Sequence, residues 1–241
     1  MIRIEADMHT HTVASTHAYS TILENCTYAS QLGLRAVGMT DHAMGMPDAP
    51  HRWHFEKLKA LPRIISGIYV LKGIEADVSD EDGDIDVSDD LLSKLEWVVA
   101  SMHSQLFPPK NEDINTKAYL GLCENKYVDV IGHPTTTKFK FDYEACVKKF
   151  REYGKFVEIN ESSLKTGKTS RENAVEMLNA CKKYEVQIIV NTDSHFCGLI
   201  GHIDLASELI EAVGFPERLI VNTEWKRVRE HIIKKHGDIG L

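Results

Sequence analysis

Residues 7–11 read Asp7, Met8, His9, Thr10, His11: an acid and two histidines on alternating positions, closing an apolar-alternating segment. Side chains of a β-strand alternate between its faces, so a strand here turns Asp7, His9 and His11 the same way. That face offers a set of metal-ligating groups. In a chain with 12 histidines chance also produces such clusters, and the rest of the sequence has to discriminate.

Working outward, short apolar, β-branched segments recur at Ile2 to Ala6, Ala36 to Thr40, Ile68 to Ala76, Trp97 to Met102, Val128 to Gly132, Phe156 to Ile159 and Val186 to Thr192. Amphipathic, capped segments separate most of them. One runs from about Thr21 to Leu32, with Thr21 and Glu24 spaced as a capping box and Gly33 ending it. Another starts at Thr169 and Glu172, again spaced as a capping box, with Ala174, Val175, Met177, Leu178 and Cys181 as its apolar stripe. A third follows Asp142, turns Cys146, Val147 and Phe150 inward and stops at Gly154. About seven strand and helix units result, the pattern of an α/β protein with a mostly parallel sheet or barrel. No linker-like stretch or internal repeat interrupts them, which predicts a single domain over 1–241. The acidic segment Ser79 to Asp90 reads as a solvated hairpin; its glycine falls too early for a calcium loop.

The chain has 241 residues, enough to bury roughly 70% of its unfolded surface. No apolar run approaches the ~20 residues that span a bilayer, and the start lacks the pattern of a secretion signal. The five cysteines are scattered and never in a CxxC pair, as in a reducing compartment. These features predict a cytoplasmic protein. A net charge of −8 argues against long nucleic acid as a partner, but leaves a small anionic substrate open if metal ions reverse the local field. A homo-oligomer is also open.

Placed on these units, the candidate ligands follow successive strand ends. His9 and His11 end the first, Asp41 and His42 the second, Glu75 sits late in the third, His103 ends the fourth, His133 the fifth, and Asp193 with His195 the seventh. In a barrel of parallel strands these ends ring one mouth, where barrel enzymes place their chemistry. Imidazole and carboxylate without thiolate suit an open, catalytic site for zinc, manganese or iron. The donors are too many for one ion, which implies two or three.

At this point the chain resembles the polymerase and histidinol phosphatase family, known as PHP. The matching motifs are Asp7, His9, His11; His17; Thr40, Asp41, His42; Glu75; His103; Gly132, His133, Pro134; and Asp193, Ser194, His195. The run from Thr12 to Ser20, the Ala49 to Phe55 segment with Trp53, and Glu158 to Ser163 resemble its small bacterial phosphatases. The resemblance implies a distorted seven-stranded (βα)7 barrel, similar to a TIM barrel, with three divalent metal ions, zinc first and manganese or iron as alternatives. It implies that His9, His11, Glu75 and Asp193 hold the first ion. Glu75 bridges to a second ion completed by His103 and His133, and His17, His42 and His195 cage a third.

The chemistry this suggests is hydrolysis of a small phosphomonoester. Two ions sharing Glu75 would supply hydroxide from a bridging water, with no side-chain nucleophile. Asp41 and Asp7 are expected to support ligand imidazoles through their second ring nitrogens. Lys138 and Arg171 are candidate phosphate contacts near strand ends; His51 and His54 line the mouth or merely start a surface helix. His202, His231 and His236 read as surface or helix-end residues. Asn160, Glu161, Ser162 and Ser163 form either a substrate-facing loop or a turn.

Alternatives remain open at this stage. A histidinol-phosphate phosphatase uses the same site, though this chain's segments resemble the shorter group. A nuclease would need a basic track. A deaminase would leave the third histidine set without purpose. A metal-holding module without catalysis would leave the open site unexplained.

Overall fold

The computed structural model describes residues 2–241. The strand segments form as β1 (Ala6–Thr10), β2 (Ala36–Met39), β4 (Ile68–Asp77), β5 (Trp97–Ser101), β6 (Val130–Ile131), β7 (Phe156–Asn160) and β8 (Ile188–Asn191), with a two-residue β3 (Ile64–Ile65) antiparallel to β4. The seven pair in the order β1-β2-β4-β5-β6-β7-β8, every pair parallel. Helices α1 (Ile22–Gln31), α2 (Arg52–Lys57), α3 (Asp89–Leu92), α4 (Glu112–Leu122), α5 (Tyr143–Glu152), α6 (Glu161–Lys165), α7 (Arg171–Lys183), α8 (Asp204–Val213) and α9 (Trp225–His236) fill the connections and the C-terminus. This is a distorted (βα)7 barrel. No helix among the described residues is long and apolar enough to cross a membrane.

The barrel is nearly closed, and side chains finish the seam. Between β8 and β1 one bridge forms, Thr10 with Ser194. Asn191 Oδ1 accepts the Met8 amide at 3.0 Å, and Asn222 Nδ2 donates to Ala6 O at 2.8 Å and Val190 O at 2.6 Å. Two amide side chains thus satisfy edge groups that a strand ladder would otherwise pair.

Local chemistry explains the helix starts. Thr21 and Glu24 make both halves of the capping box at α1, and Asp142 Oδ1 accepts the Ala145 amide to open α5. The expected box at Thr169 and Glu172 is displaced by one residue: Ser170 caps α7 through Asn173 N. Thr169 is instead held in a bridge to Thr136, its hydroxyl 3.2 Å from that of Thr135. The acidic segment forms its hairpin, with Val78 and Ile85 bridged antiparallel and Gly83 at φ +85°.

Strand β1 corrects the opening expectation twice. It begins four residues later than expected, because Glu5 bonds irregular backbone at Asn222 and Arg35. Its pairing with β2 then slips: Asp7 faces Val37, but Thr10 faces Met39, so three steps on one strand match two on the other. A bulge breaks the two-residue alternation. Asp7 therefore does not share a pocket with His9 and His11; its carboxylate accepts the amides of Thr192 at 3.1 Å and Gly201 at 3.0 Å.

Two apolar layers hold the barrel. The larger lies between sheet and helices and includes Cys26, Val37, Val98, Leu122, Val147 and Cys181. The smaller fills the interior with Met8, Leu71, Trp97, Val99, Phe156 and Ile189, closed by Trp225, Val228 and Ile232 of α9. Trp97 and Phe156 open their strands, so α9 plugs the N-terminal mouth. The C-terminal mouth is left for the polar residues.

Candidate metal centre

His9 lies within β1, and His11 follows it. Each later strand end delivers its residue to the same place: His42, Glu75, His103, His133, Asp193 and His195 all meet at the C-terminal mouth. His133 and Asp193 adopt φ of +25° and +52°. A left-handed backbone is uncommon outside glycine and concentrates at functional sites, where the surrounding structure holds the strain.

Four donor atoms form the tightest group: His9 Nε2, His11 Nε2, Glu75 Oε2 and Asp193 Oδ1. The nitrogens stand 3.3 Å apart; Glu75 Oε2 lies 3.4 and 3.5 Å from them, and Asp193 Oδ1 lies 3.6 and 3.1 Å. Four donors about 2.0–2.2 Å from a common centre stand roughly 3.3–3.6 Å apart when tetrahedral. Glu75 Oε1 faces the other way, 3.1 Å from His133 Nε2 and 3.7 Å from His103 Nε2. The rings of His17, His42 and His195 have centroids 4.3 to 6.0 Å apart; donor atoms of His42 and His195 cluster with His11, and those of His17 and His42 with Asp48.

The carboxylates are held ionised, while the imidazoles differ. Burial opposes charge on His9 and His103, yet Glu158 and Glu75 raise His9 well above the ordinary imidazole value, and Glu75 with Asp77 raises His103 to about 9. A bound cation would displace those protons. Burial opposes charge on Glu75, yet the imidazoles of His9, His42 and His103 hold its carboxyl well below the usual carboxylate range. Burial likewise opposes ionised Asp193, and His9 and His11 outweigh it and keep the group ionised. His11 is pushed down to about 4 by burial, leaving a neutral imidazole. Glu75 Oε2 and His42 Nδ1 lie 2.9 Å apart and Asp193 Oδ1 lies 3.1 Å from His11 Nε2, close contacts rather than aligned hydrogen bonds, and His195 Nε2 is buried without a partner. Orphaned buried donors and acceptors cost on the order of 1–3 kcal/mol each, a penalty that a bound cation would remove. The donor set therefore fits divalent ions.

Carboxylates behind the ring fix its geometry. Glu158 Oε1 accepts from His9 Nδ1 at 2.8 Å, Asp77 Oδ1 from His103 Nδ1 at 2.5 Å, and Asp48 Oδ2 from His17 Nδ1 at 2.5 Å. Such bonds select the tautomer that leaves Nε2 free to ligate. Glu158 also accepts the His133 amide at 2.7 Å and the side-chain amides of Asn191 and Asn160. Above the ring opens a cleft of about 830 Å³, lined by His17, His103, His133 and His195 on its floor and by Lys138, Lys168, Gln105 and Ser163 among its walls.

A PHP domain model matches residues 7–237. The chain belongs to the PHP domain family. A probable phosphatase of Clostridium novyi (strain NT) is 43% identical over 95% of this chain and 94% of its own length. Another, from Caldanaerobacter subterraneus subsp. tengcongensis, is 40% identical over 99% and 95%. Among solved structures, the histidinol phosphate phosphatase of Lactococcus lactis, complexed with zinc, L-histidinol and phosphate, matches with a TM-score of 0.59. Its identity is 18%, and the match covers 88% of this chain and 94% of that one. The putative histidinol phosphatase of Listeria monocytogenes matches at 0.58 and 14%, covering 82% and 97%. At these identities the two structures attest the fold.

Around the PHP centre, the expected supporting residues are arranged differently from the sequence reading. Asp7 touches no imidazole and instead holds the backbone just before Asp193. Asp41 accepts from Thr12, Ser15 and His54, and reaches the ring only through Ser15 Oγ, 3.5 Å from His11 Nδ1. Lys138 lines the cleft; Arg171 does not, being paired with Glu208 at 3.0 Å on the outer helices. His51 caps α2 by accepting the Trp53 amide, and His54 points to Asp41. Trp53 is exposed, and Phe55 takes the inward position. Asn160 caps α6 and leans on Asp193, whereas Glu161 is buried and accepts the Leu205 and Ala206 amides. His231 bonds Asp129 at the opposite end of the barrel, and His202 bonds Tyr28. Glu158, Asp77 and Asp48 were missed as imidazole partners. A carboxylate at a strand end was the available signal for the first two; nothing local marks Asp48.

Proposed function

We propose that this protein is a metal-dependent phosphatase that hydrolyses small phosphomonoesters, acting as a single PHP domain with three divalent ions at its barrel mouth. The observation that carries this reading is the buried convergence of His9, His11 and Asp193 donor atoms, with Glu75 Oε2 within 3.5 Å of both histidine nitrogens. Glu75 serves two groups at once, with Oε2 toward His9 and His11 and Oε1 toward His103 and His133. His17, His42 and His195 would hold the third ion; the donor atoms of His42 and His195 cluster with His11, and those of His17 and His42 cluster with Asp48. Bound there, such ions lower the pKa of water toward neutrality and offset charge on phosphate oxygens. The chain's own contribution is positional. Glu158 and Asp77 orient the imidazoles, and Ser101 Oγ donates to Glu75 Oε1 at 2.6 Å. The phosphatase relatives support the reaction class, and the five unpaired cysteines support a cytoplasmic setting.

The test couples metal content to turnover. We expect close to three ions per chain and phosphate release from an aryl phosphate with zinc or manganese, abolished by chelation and restored by metal. His9→Ala and Glu75→Ala should lose both bound metal and at least about a thousandfold in kcat/KM. A metal-replete protein without phosphate release would favour the non-catalytic module, and turnover confined to histidinol phosphate would favour that narrower specificity.

A further inference from the structure

The cleft above the ring is far larger than a phosphoryl group needs; its 830 Å³ falls in the range of pockets that enclose whole small molecules. The rest of the substrate must therefore meet the walls. One wall is built from two segments laced together, residues 135–139 after β6 and 163–169, the end of α6 and the turn that follows it. Thr137 N donates to Lys168 O at 2.9 Å, Thr136 bridges Thr169, and the hydroxyls of Thr135 and Thr169 are 3.2 Å apart. This lacing carries Lys138 and Lys168 on the same wall. Both line the cleft, both are exposed, and neither side-chain ammonium group has a hydrogen-bond or ion-pair partner among the described residues. The carboxylates that line the cleft, Asp48 and Asp193, are both engaged with imidazoles. The wall is thus cationic in a protein whose net charge is −8.

Resting on the phosphatase reading above, we propose that Lys138 and Lys168 bind a second anionic group of the substrate, which is a small phosphomonoester bearing a carboxylate or a second phosphate. An ammonium ion in that position, as on histidinol phosphate, would face two like charges. Lysine serves such a site as a mobile point charge, suited to carboxylate or phosphate without fixed bidentate geometry.

The experiment compares kcat/KM of the metal-loaded protein on p-nitrophenyl phosphate, phosphoglycolate, a sugar bisphosphate and histidinol phosphate. Wild type should favour phosphoglycolate or the bisphosphate over histidinol phosphate by about tenfold or more, and the favoured member identifies the second anion as carboxylate or phosphate. In the Lys138→Gln, Lys168→Gln double variant, the ratio of kcat/KM for the favoured substrate to that for p-nitrophenyl phosphate should fall about 10- to 100-fold, the effect of losing one or two charge-assisted hydrogen bonds. Calorimetric binding of phosphonoacetate, which presents both anions without an ester, should weaken in parallel if carboxylate is favoured. An unchanged ratio, or an equal loss on all four substrates, overturns the proposal, the latter assigning the lysines to the scissile phosphate. A metal-replete wild type inactive on every ester would instead overturn the phosphatase reading.

Discussion

Glu158 is the residue on which the ring's geometry most depends. It is fully buried and accepts from four donors: His9 Nδ1, Asn191 Nδ2, the His133 amide and Asn160 Nδ2. Burial opposes its charge, and His9 overcomes that to hold the carboxyl below its usual range. Glu158→Gln is nearly isosteric, yet it turns an N–H donor toward two of those donors. We expect metal affinity to fall about 10- to 100-fold, measured by chelator competition, as for other lost carboxylate partners of ligating histidines. Asp77 acts on His103 in the same way. The ring histidines at strand ends were legible from those positions, whereas His17, in the turn after β1, was reached only through the family resemblance. Their partners were not, because a carboxylate at a strand end reads equally well as ligand, support or salt-bridge member until its neighbours are known.

Elements bring these residues together through close approach of their backbones. Gly132, between β6 and His133, shows how tightly. A Cβ there would stand 2.1 Å from Ser101 Oγ and 2.8 Å from a Val99 methyl, and Ser101 is the group that donates to Glu75 Oε1. Gly132→Ala should destabilise the fold by about 1–3 kcal/mol through overpacking and displace the Glu75 carboxylate that Ser101 holds. Thermal unfolding and metal stoichiometry, measured together, would check this; a variant matching wild type in both would contradict it. Helix starts were readable where a local cap suffices, as at Thr21 and Asp142. The start of α7 was misjudged by one residue because Thr169 is claimed by the wall that holds Lys168. The slip in β1 was invisible for a related reason: a bulge is decided by the partner strand, and residues 6–10 alternate well enough alone.

At the scale of the whole molecule, the barrel divides its polar chemistry between two ends. The C-terminal mouth holds the ring of imidazoles and carboxylates able to take metal ions. The N-terminal mouth is plugged by α9, where buried Asp129 accepts from His231 at 2.8 Å and Lys235 at 2.7 Å. Burial raises the cost of Asp129's charge, and Lys235 with His231 more than offsets it, so its pKa lies below the ordinary value. A depressed carboxylate pKa contributes stability that is complete above the unfolded value near 4 and fades as pH falls through the folded one. Asp129→Asn should therefore cost about 3–5 kcal/mol near neutrality, with a shallower loss below pH 4 than wild type. Urea unfolding across pH measures both; an equal acid limb in the two proteins would count against this role for Asp129.

The order of strands and helices, the histidines and carboxylates at their ends and the likeness to the PHP family were fixed by local pattern, since strand and helix periodicity needs no distant partner. Only the tertiary structure decided which carboxylate faces which imidazole, that Asp7 leaves the ring, that Arg171 turns to Glu208 and that Lys138 gains Lys168 beside it. Those outcomes depend on backbone register and on contacts between residues far apart in sequence, where a single-residue slip or a rival hydrogen bond redirects a side chain.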